Sequence, residues 1–348
     1  MKTFLYNLAT DRTKGLFFLP IKIVLLLLSF LYGLIIRSMI LFCLIDPIRL
    51  NCKIISIGNI TLGGTGKTSL VELIARILKS KGFRIALLSR GYNRRSLDSL
   101  GDEPDMLFNA LKDVPVIVGK NRIKNSHRAI KEYGIDTLIL DDAMQQWRIK
   151  KDIEIITIDS VLPFGNKHMI PRGILREPLS SLKRADVFIL TKTNFSSNLD
   201  NLKEALIRIN PKALVFDSIH MPTSIYFVHK PQELLDIDYI KNKKVALFSG
   251  IGDPDSFAKS IINLGADIRL DLRFTDHYNY SQKDLDKIIA VSKENLTDII
   301  ITTQKDAARI NNLDLKIEAA NLMVLCIELK IIKDEERFID RLLRVYSS

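Results

Sequence analysis

The sequence predicts an α/β protein built on a mostly parallel sheet, with an apolar helix before it and a smaller α/β domain after it. Short apolar runs typical of buried strands alternate with amphipathic helical patterns. A glycine-rich turn joins the first strand pattern to the first of these helices, as in P-loop NTPases. We therefore expect three regions: a membrane-anchor helix in residues 1–45, a P-loop domain in 46–222 and a C-terminal α/β domain in 223–348.

The N-terminal region predicts membrane association. Residues 16–45 are almost wholly apolar, and their only charged residues are Lys22 and Arg37. The fourteen uncharged residues between these two are fewer than the ~20 that a bilayer span needs, but long basic side chains extend toward lipid head groups. A full span and a helix lying in the interface are therefore both open. No small-residue cleavage site follows, so a removed signal peptide is not expected.

The bulk composition narrows the class of partner. The chain has 348 residues, 47% hydrophobic content and a formal net charge of +11. It is long enough for two domains and basic enough for nucleic acid, an anionic membrane or a phosphorylated substrate. No helix-turn-helix or RNA-binding motif is recognisable, so no nucleic-acid partner is expected. The three cysteines show neither metal-ligand spacing nor a disulfide framework. Such cysteine usage is typical of proteins in a reducing compartment.

Individual elements follow from these patterns. Strands are predicted at residues 53–57, 85–88, 114–118, 137–140, 153–158 and 187–190 of the P-loop domain, and at 245–249 and 299–303 of the C-terminal domain. Helices are predicted at 68–81, 255–264 and 281–296, the last with Ser281 and Asp284 in capping-box spacing. We expect the chain to change domain near residues 194–201 or at the Met221-Pro222 step.

The strongest single motif is a phosphate-binding loop between a strand and a helix. It reads Thr61-Leu62-Gly63-Gly64-Thr65-Gly66-Lys67-Thr68. Its glycines allow backbone N–H groups to turn toward phosphate oxygens, and the positive end of the following helix adds to the attraction. Lys67 is expected to contact the terminal phosphates of ATP, and the Thr68 hydroxyl to bind Mg²⁺. Thr61 stands where the usual motif has its first glycine.

A metal-binding pair is expected at Asp141 and Asp142, which directly follow the strand pattern at 137–140. Adjacent carboxylates at a strand end are costly unless a cation or hydrogen bonds compensate them. Oxygen ligands are what Mg²⁺ prefers. Without the P-loop nearby, a solvated loop pair would be the better interpretation.

The class of nucleotide is constrained by Thr191-Lys192-Thr193-Asn194. A GTPase reads guanine with an Asn/Thr-Lys-x-Asp motif, and here Asn194 replaces the final carboxylate. A P-loop GTPase or ATPase that acts as a switch, without phosphorylating a substrate, stays open as the alternative to a kinase.

Six short motifs, taken in order, carry a family resemblance. They are Gly58-Asn59-Ile60-Thr61, Ser89-Arg90-Gly91-Tyr92, Gly101-Asp102-Glu103-Pro104, Asp141-Asp142-x-x-Gln145, Leu175-Arg176-Glu177-Pro178 and Asp276-His277. Over roughly residues 16–310, the chain resembles the tetraacyldisaccharide 4′-kinases of lipid A synthesis, the LpxK family. The resemblance implies a kinase at the cytoplasmic face of the bacterial inner membrane, with ATP and Mg²⁺ as cofactors. Its expected partners are membrane lipids and an acylated glucosamine disaccharide 1-phosphate, which is phosphorylated on the 4′-hydroxyl.

The resemblance also implies roles for individual residues. Asp102 is the expected base for the sugar hydroxyl and works with His277. The cationic candidates for neutralising the transferred phosphate are Lys67, Arg122 and Arg176. Glu177 is expected to support the metal or its waters.

The chain departs from the family pattern in a few places. Gln146 stands where the family has a histidine, and Ala143 where it has a glycine. The basic loop with Arg90, Arg94 and Arg95 either faces a substrate or lipid phosphate or is a solvated charge run. No departure removes the expected base, the P-loop lysine or the metal carboxylates, so we expect an active enzyme.

Overall fold

The computed structural model describes residues 7–11, 13, 15–91, 102–311, 313–314 and 321–347. Tyr92, Arg94, Arg95 and Gly101, which the sequence analysis singled out, lie outside the described residues. The chain divides into two compact units. Unit 1 comprises Met1–Arg90, Leu111–Ile219 and Leu329–Ser348, and unit 2 comprises Gly91–Ala110 and His220–Glu328.

This division differs from the predicted domains in two segments. The main boundary lies close to the Met221-Pro222 step, but residues 91–110 belong to unit 2 and residues 329–348 return to unit 1. Residues 194–201 lie inside unit 1. Turn-forming residues mark where a chain bends, but the core against which a segment packs decides its unit. Phe338, for example, is fully buried beside Phe216 of unit 1, with ring centroids 5.4 Å apart.

The N-terminal apolar segment forms α1, Leu19–Ile45, directly after a short 3₁₀ turn at Leu16–Phe18. Among the described residues it is the one helix long and apolar enough to cross a membrane. Most of its large side chains are exposed, and the buried residues are Ser29, Gly33 and Ile36. Their spacing places them on one face, so a single stripe of α1 contacts unit 1.

Unit 1 contains a parallel sheet with the strand order β3-β2-β4-β1-β5-β6-β7. The strands are β1 Lys53–Gly58, β2 Ile85–Ser89, β3 Val116–Val118, β4 Thr137–Leu140, β5 Ile153–Asp159, β6 Val187–Thr191 and β7 Leu214–Phe227, which continues into unit 2. The helices after α1 are α2 Lys67–Ser80, α4 Arg122–Tyr133, α5 Leu199–Ile209 and α9 Glu335–Leu343. Every residue of β2, β4 and β6 is buried, as expected for a parallel sheet covered on both faces.

The register of this sheet places the site motifs at one edge. β1 lies between β4 and β5, with Ile55 paired to Ile139 on one side and Ile153 on the other. Because the three strands are parallel, the segments that follow them leave the sheet at the same edge. The P-loop follows β1 and the Asp141-Asp142 pair follows β4, so both lie at the carboxyl edge.

Unit 2 contains a second parallel sheet with the order β9-β8-β10-β11. Its strands are β8 Lys244–Ser249, β9 Asp267–Arg273, β10 Ile299–Thr303 and β11 Leu322–Ile331, which leads back to unit 1. Its helices are α3 Asp102–Ala110, α6 Pro254–Asn263, α7 Gln282–Glu294 and α8 Gln304–Ile310, and α3 packs against α8. The predicted capping box of α7 is present, with Ser281 and Asp284 in reciprocal hydrogen bonds. The predicted α/β fold class is thereby confirmed.

Candidate active site

The P-loop joins β1 to α2 and presents its glycines to open space. Gly63 and Gly66 have φ angles of 111° and 79°, a conformation that favours glycine. A Cβ added at Gly63 or Gly64 would meet no atom within 4 Å. Thr61, by contrast, is buried and forms an antiparallel bridge with Leu175. The missing first glycine is therefore at a bridged position outside the open part of the loop.

Hydrogen bonds fix the first half of the P-loop. Asn59 Nδ2 donates to the carbonyls of Thr61 and Gly63, at 2.8 and 3.4 Å. The Leu62 N–H donates to the carbonyl of Ile174 at 2.8 Å. Asn59 belongs to the motif before the loop, and its side-chain amide holds the backbone of the loop.

Three threonines fix the second half. The hydroxyls of Thr65 and Thr157 lie 2.7 Å apart, and the Thr191 hydroxyl donates to the Thr65 carbonyl at 3.3 Å. Thr157 is on β5 and Thr191 ends β6, so neighbouring strands hold the loop. The sequence analysis did not single out Thr157, since an isolated threonine inside a strand carries no motif.

Lys67 begins α2 and contacts Asp142, one of the two predicted metal carboxylates. Its Nζ lies 3.7 Å from Asp142 Oδ1 and donates to Asn59 Oδ1 at 3.2 Å. Arg176 Nη1 donates to both carboxylate oxygens of Asp142, at 2.8 and 3.0 Å. The structure therefore brings Lys67, Asp142 and Arg176 together at the carboxyl edge. Two cations around one carboxylate give this corner a positive character that suits a phosphate group.

Asp141 occupies the more buried position of the acidic pair. It is 2% exposed, and Ser89 Oγ donates to its Oδ2 at 3.3 Å. Within the described residues there is no cluster of three or more His, Cys, Asp or Glu side chains that would bind a metal by itself. Mg²⁺ typically needs only one or two carboxylates together with phosphate oxygens and water. Thr68, Asp141 and Asp142 supply hard oxygen donors of that kind, so the donor set fits Mg²⁺ bound with a nucleotide.

Arg122 is buried beneath the acidic pair rather than exposed to the cradle. It is 3% exposed, its Nη1 donates to the Leu88 carbonyl, and its Nη2 donates to the Asp141 carbonyl at 2.7 Å. These contacts tie the ends of β2 and β4 together. These contacts favour a backbone-holding role for Arg122, and its part in neutralising the transferred phosphate stays a prediction.

Glu177 also has a partner set that the sequence did not predict. It is fully buried, and its Oε1 accepts from Trp147 Nε1 at 3.0 Å and Gln145 Nε2 at 3.2 Å. Its Oε2 accepts from Arg184 Nη2 at 2.8 Å, and Arg184 also lies 3.8 Å from Glu154. Both oxygens are engaged by donors, so these contacts favour a structural role over metal support. No pattern in the sequence points to Arg184.

Gln146, where the family pattern has histidine, lines a cavity of about 500 Å³ in unit 1. Met39 and Cys43 of α1 contribute to the apolar part of the lining, and Lys120 and Arg148 add positive charge. The substituted position thus faces a cavity beside the apolar helix. Its backbone N–H donates to Ala143 at 2.9 Å, which keeps the turn closed.

Asp102, the expected catalytic base, and His277, its expected partner, both belong to unit 2. Asp102 is the first residue of α3, and the contacts of its side chain lie outside the described part of the structure. His277 follows β9 in a loop, with its ring about one-third exposed and a φ of 59°. Arg309 Nη2 lies 3.3 Å from His277 Nδ1, a contact that the sequence analysis missed.

α1 contacts the segment that carries Arg176. Ser29 Oγ donates to the Met169 carbonyl at 2.5 Å, and the Tyr32 hydroxyl donates to the Arg176 carbonyl at 3.1 Å. Burial, followed by the nearby negative charge of Glu177, raises the pKa of Tyr32 above its usual value. The Tyr32 hydroxyl therefore remains a donor across the physiological pH range.

The chain is similar to known proteins over most of its length. The family model described as tetraacyldisaccharide-1-P 4′-kinase, LpxK, matches residues 21–347. A tetraacyldisaccharide 4′-kinase from Halothermothrix orenii is 34% identical over 95% of this chain and 94% of its own length. A probable mitochondrial tetraacyldisaccharide 4′-kinase from Arabidopsis thaliana is 30% identical over 87% of this chain and 85% of its own length.

A solved structure extends this likeness to the fold. The crystal structure of LpxK from Aquifex aeolicus in complex with ATP covers 93% of this chain, and 99% of that chain is matched. The TM-score is 0.71 at 26% sequence identity. The similarity therefore extends over nearly the whole chain.

Proposed function

Because the chain belongs to the tetraacyldisaccharide-1-P 4′-kinase family, we propose how its residues divide the work of this kinase. The reaction transfers the γ-phosphoryl group of ATP to the 4′-hydroxyl of an acylated glucosamine disaccharide 1-phosphate. The contact of Lys67 with Asp142, beside Arg176, is the observation that carries the proposal. A P-loop lysine, a carboxylate and a second cation meet at this corner, which supports the proposal because phosphoryl transfer uses groups of these kinds.

ATP binds in the P-loop in this proposal, and the Aquifex aeolicus relative has been solved in complex with ATP. The backbone N–H groups of the loop and the α2 N-terminus hold the phosphates. Lys67 exchanges its contact with Asp142 for a phosphate oxygen, while Arg176 keeps Asp142 in place. Thr68, Asp141 and Asp142 would hold Mg²⁺, which neutralises charge on the phosphates.

The acceptor hydroxyl loses its proton to a base in unit 2. Asp102 is the proposed base and His277 its partner, as the family resemblance implies. An alcohol is a weak nucleophile at neutral pH, so a positioned carboxylate contributes typically 10²–10⁴-fold to the rate. Arg122 and Glu177 act at a distance: Arg122 holds the strand ends and Glu177 anchors Gln145, Trp147 and Arg184.

The membrane is the proposed location, at the cytoplasmic face of the bacterial inner membrane. Ser29, Gly33 and Ile36, in the middle of α1, are buried against unit 1, whereas most of its other large side chains are exposed. A helix whose middle packs on a water-soluble unit is better suited to lying in the interface than to crossing the bilayer. The contacts therefore support the interfacial arrangement, with the exposed apolar face in lipid.

The deciding experiment supplies ATP, Mg²⁺ and tetraacyldisaccharide 1-phosphate to the purified full chain in detergent micelles. We expect a bis-phosphorylated lipid, identified by mass spectrometry, with the new phosphate on the 4′ position. Asp102→Ala should lose product formation, whereas a switch that only hydrolyses nucleotide would not need this residue. Nucleotide hydrolysis without any phosphorylated lipid, unchanged by Asp102→Ala, would refute the kinase assignment.

A further inference from the structure

His277 is held both at its ring and at its backbone. Arg309 Nη2 lies 3.3 Å from His277 Nδ1, and the backbone N–H of His277 donates to the Gly250 carbonyl at 3.0 Å. The φ of 59° is a left-handed conformation that a non-glycine residue adopts when its surroundings impose it. Both the backbone and the ring of His277 are therefore fixed by the same part of unit 2.

Arg309 is itself fixed by a buried ion pair. Its Nη1 lies 2.8 Å from Asp306 Oδ1, and the two side chains are 1% and 0% exposed. The same Nη1 donates to the Gly250 carbonyl at 2.6 Å. Asp306 accepts further hydrogen bonds from the Gly250 N–H, the Tyr280 hydroxyl and the Thr303 hydroxyl, at 3.0, 3.1 and 2.7 Å. A buried charge pair with this many partners has one stable geometry, so Arg309 reaches His277 as a rigid donor.

Gly250 allows this close packing. A Cβ built at Gly250 would lie 3.0 Å from Tyr278 Cβ and 3.0 Å from the Tyr280 hydroxyl, and 3.3 Å from Asp306 Oδ1. Any side chain there would push apart the groups that hold Arg309. The turn after β8 therefore contributes directly to the placement of the histidine.

We propose that Arg309 is a positioning residue that fixes the tautomer of His277. The inference rests on the role given to His277 in the proposed function. A guanidinium has donors and no acceptor, so His277 Nδ1 accepts in this contact and carries no proton. In the neutral ring the proton is therefore on Nε2.

The tautomer decides which way the proton of the sugar hydroxyl moves. With Nδ1 occupied as acceptor and Nε2 protonated, neutral His277 offers a hydrogen-bond donor and no acceptor toward its exposed side. The 4′-hydroxyl proton goes to the Asp102 carboxylate as the new O–P bond forms and the bond from the γ-phosphorus to ADP breaks. His277 donates through Nε2 and orients or stabilises the reacting groups. Asp276 Oδ1, at 3.9 Å from Nε2, is too distant to be a hydrogen-bond partner in this geometry.

Nuclear magnetic resonance of the full chain in detergent micelles tests the tautomer directly. Ring nitrogens are labelled with ¹⁵N, and His277→Gln identifies the signal of this residue among the five histidines. We expect Nε2 protonated and Nδ1 unprotonated in the neutral ring. A neutral His277 with its proton on Nδ1 would overturn the proposal. The readout needs no turnover, so it is separate from any failure of the kinase assignment.

Steady-state kinetics test whether loss of the contact between Arg309 and His277 slows the reaction. Arg309→Met combined with Asp306→Asn removes the donor without leaving a buried carboxylate unpaired. We expect kcat to fall about ten- to hundredfold, as for other partners that orient a functional histidine. The KM for ATP should stay within about twofold, since the P-loop belongs to unit 1. Arg309→Lys retains a donor and should recover part of the loss.

A matched control is Arg273→Met, because Arg273 is an exposed arginine of unit 2 that also pairs with two carboxylates, Asp255 and Asp271. It should leave kcat unchanged. A double variant that folds and keeps the wild-type kcat and His277 tautomer would refute the role of Arg309. If the double variant fails to fold, the tautomer of the wild-type histidine still decides the question.

Discussion

The hydroxyl of Tyr32 donates to the backbone carbonyl of Arg176 at 3.1 Å, and so links the apolar N-terminal helix to the candidate phosphate site. The Arg176 N–H in turn donates to the Ile60 carbonyl at 2.8 Å, just before the P-loop, and its side chain contacts Asp142. One residue thus connects α1, the P-loop and the acidic pair. α1 is therefore hydrogen-bonded to the segment that carries Arg176 of the candidate site.

Tyr32→Phe tests this connection. The substitution removes one hydrogen bond and leaves the Arg176 carbonyl without its donor, at a cost of about 1 kcal/mol. We expect a several-fold lower kcat/KM for ATP and unchanged binding to lipid vesicles. Steady-state kinetics in micelles and vesicle sedimentation provide the two measurements. Tyr133→Phe, on an exposed tyrosine of α4, is the control. Equal kinetics for both variants would show that the Tyr32 hydrogen bond has no influence on the phosphate site.

Lys67→Met should nearly abolish transfer. The lysine is the expected contact of the terminal phosphates, and its loss removes about 3–4 kcal/mol of transition-state stabilisation, or about 10²–10³ in kcat. Rates of lipid phosphorylation at saturating ATP provide the measurement. Lys79→Met changes a lysine of the same helix that pairs with Asp113 at the surface, and should retain wild-type kcat. Similar losses for both variants would contradict a specific role for Lys67.

Glu177→Gln separates a structural role from a metal-supporting one. Removing the charge of the fully buried Glu177 leaves the partly buried Arg184 with the more distant Glu154, and breaking a buried pair costs about 3–5 kcal/mol. We expect a clear drop in the free energy of unfolding and little change in the Mg²⁺ concentration needed for half-maximal activity. Chemical denaturation and Mg²⁺ titration distinguish the two.

The control for Glu177 is Glu204→Gln, which breaks an exposed pair with Arg208 at 2.9 Å. Exposed pairs contribute about 0–1 kcal/mol, so its stability should hardly change. If Glu177→Gln is as stable as the control but needs far more Mg²⁺, the metal-supporting role predicted from the sequence is correct.

Local patterns predicted much of the fold because they follow from local physics. The helix after the P-loop, the strand at Thr137–Leu140 and the capping box at Ser281 were each predicted within a residue or two. Apolar periodicity and caps are properties of neighbouring residues. β7 was missed because polar residues such as Asp217 and Ser218 interrupt its apolar pattern, although both are buried.

The candidate site was predicted only where a motif carried it. The motifs named Lys67 and Asp142, which lie 3.7 Å apart, and their phosphate and metal roles stay predictions. Arg184 and Arg309, by contrast, belong to no recognisable motif in the sequence. Their proposed roles depend on contacts with Glu177 and His277, which other elements supply. Contacts of that kind depend on tertiary packing, which a single sequence does not display.

Asp11 should make the N-terminal contacts sensitive to acid. Burial raises the pKa of Asp11, but hydrogen bonds from Arg172 and Lys22 lower it by more. The net effect lowers the pKa of Asp11 to about 2. A lowered folded-state pKa gives stability that is present above the unfolded pKa of ~3.9 and is lost as pH falls toward 2. Because Asp11 is partly exposed, we expect a contribution of about 1 kcal/mol. The difference in unfolding free energy between wild type and Asp11→Asn should be constant from pH 7 to about 5 and shrink below pH 4. A difference that grows on acidification would contradict this assignment.

The two faces of α1 should have separable effects. A Cβ at Gly33 would already lie 3.3 Å from Met169 Sδ, so Gly33→Leu should displace the segment that leads to Arg176. We expect it to lower kinase activity in micelles about tenfold or more, with vesicle binding retained. Phe42→Ser, on an exposed position of the same helix, should weaken vesicle binding and leave activity in micelles unchanged.

Cysteine labelling from one side of sealed vesicles tests how α1 lies in the membrane. An interfacial helix exposes both of its ends to that side, and a spanning helix exposes only one. Labelling of one end alone would establish a span and refute the interfacial arrangement.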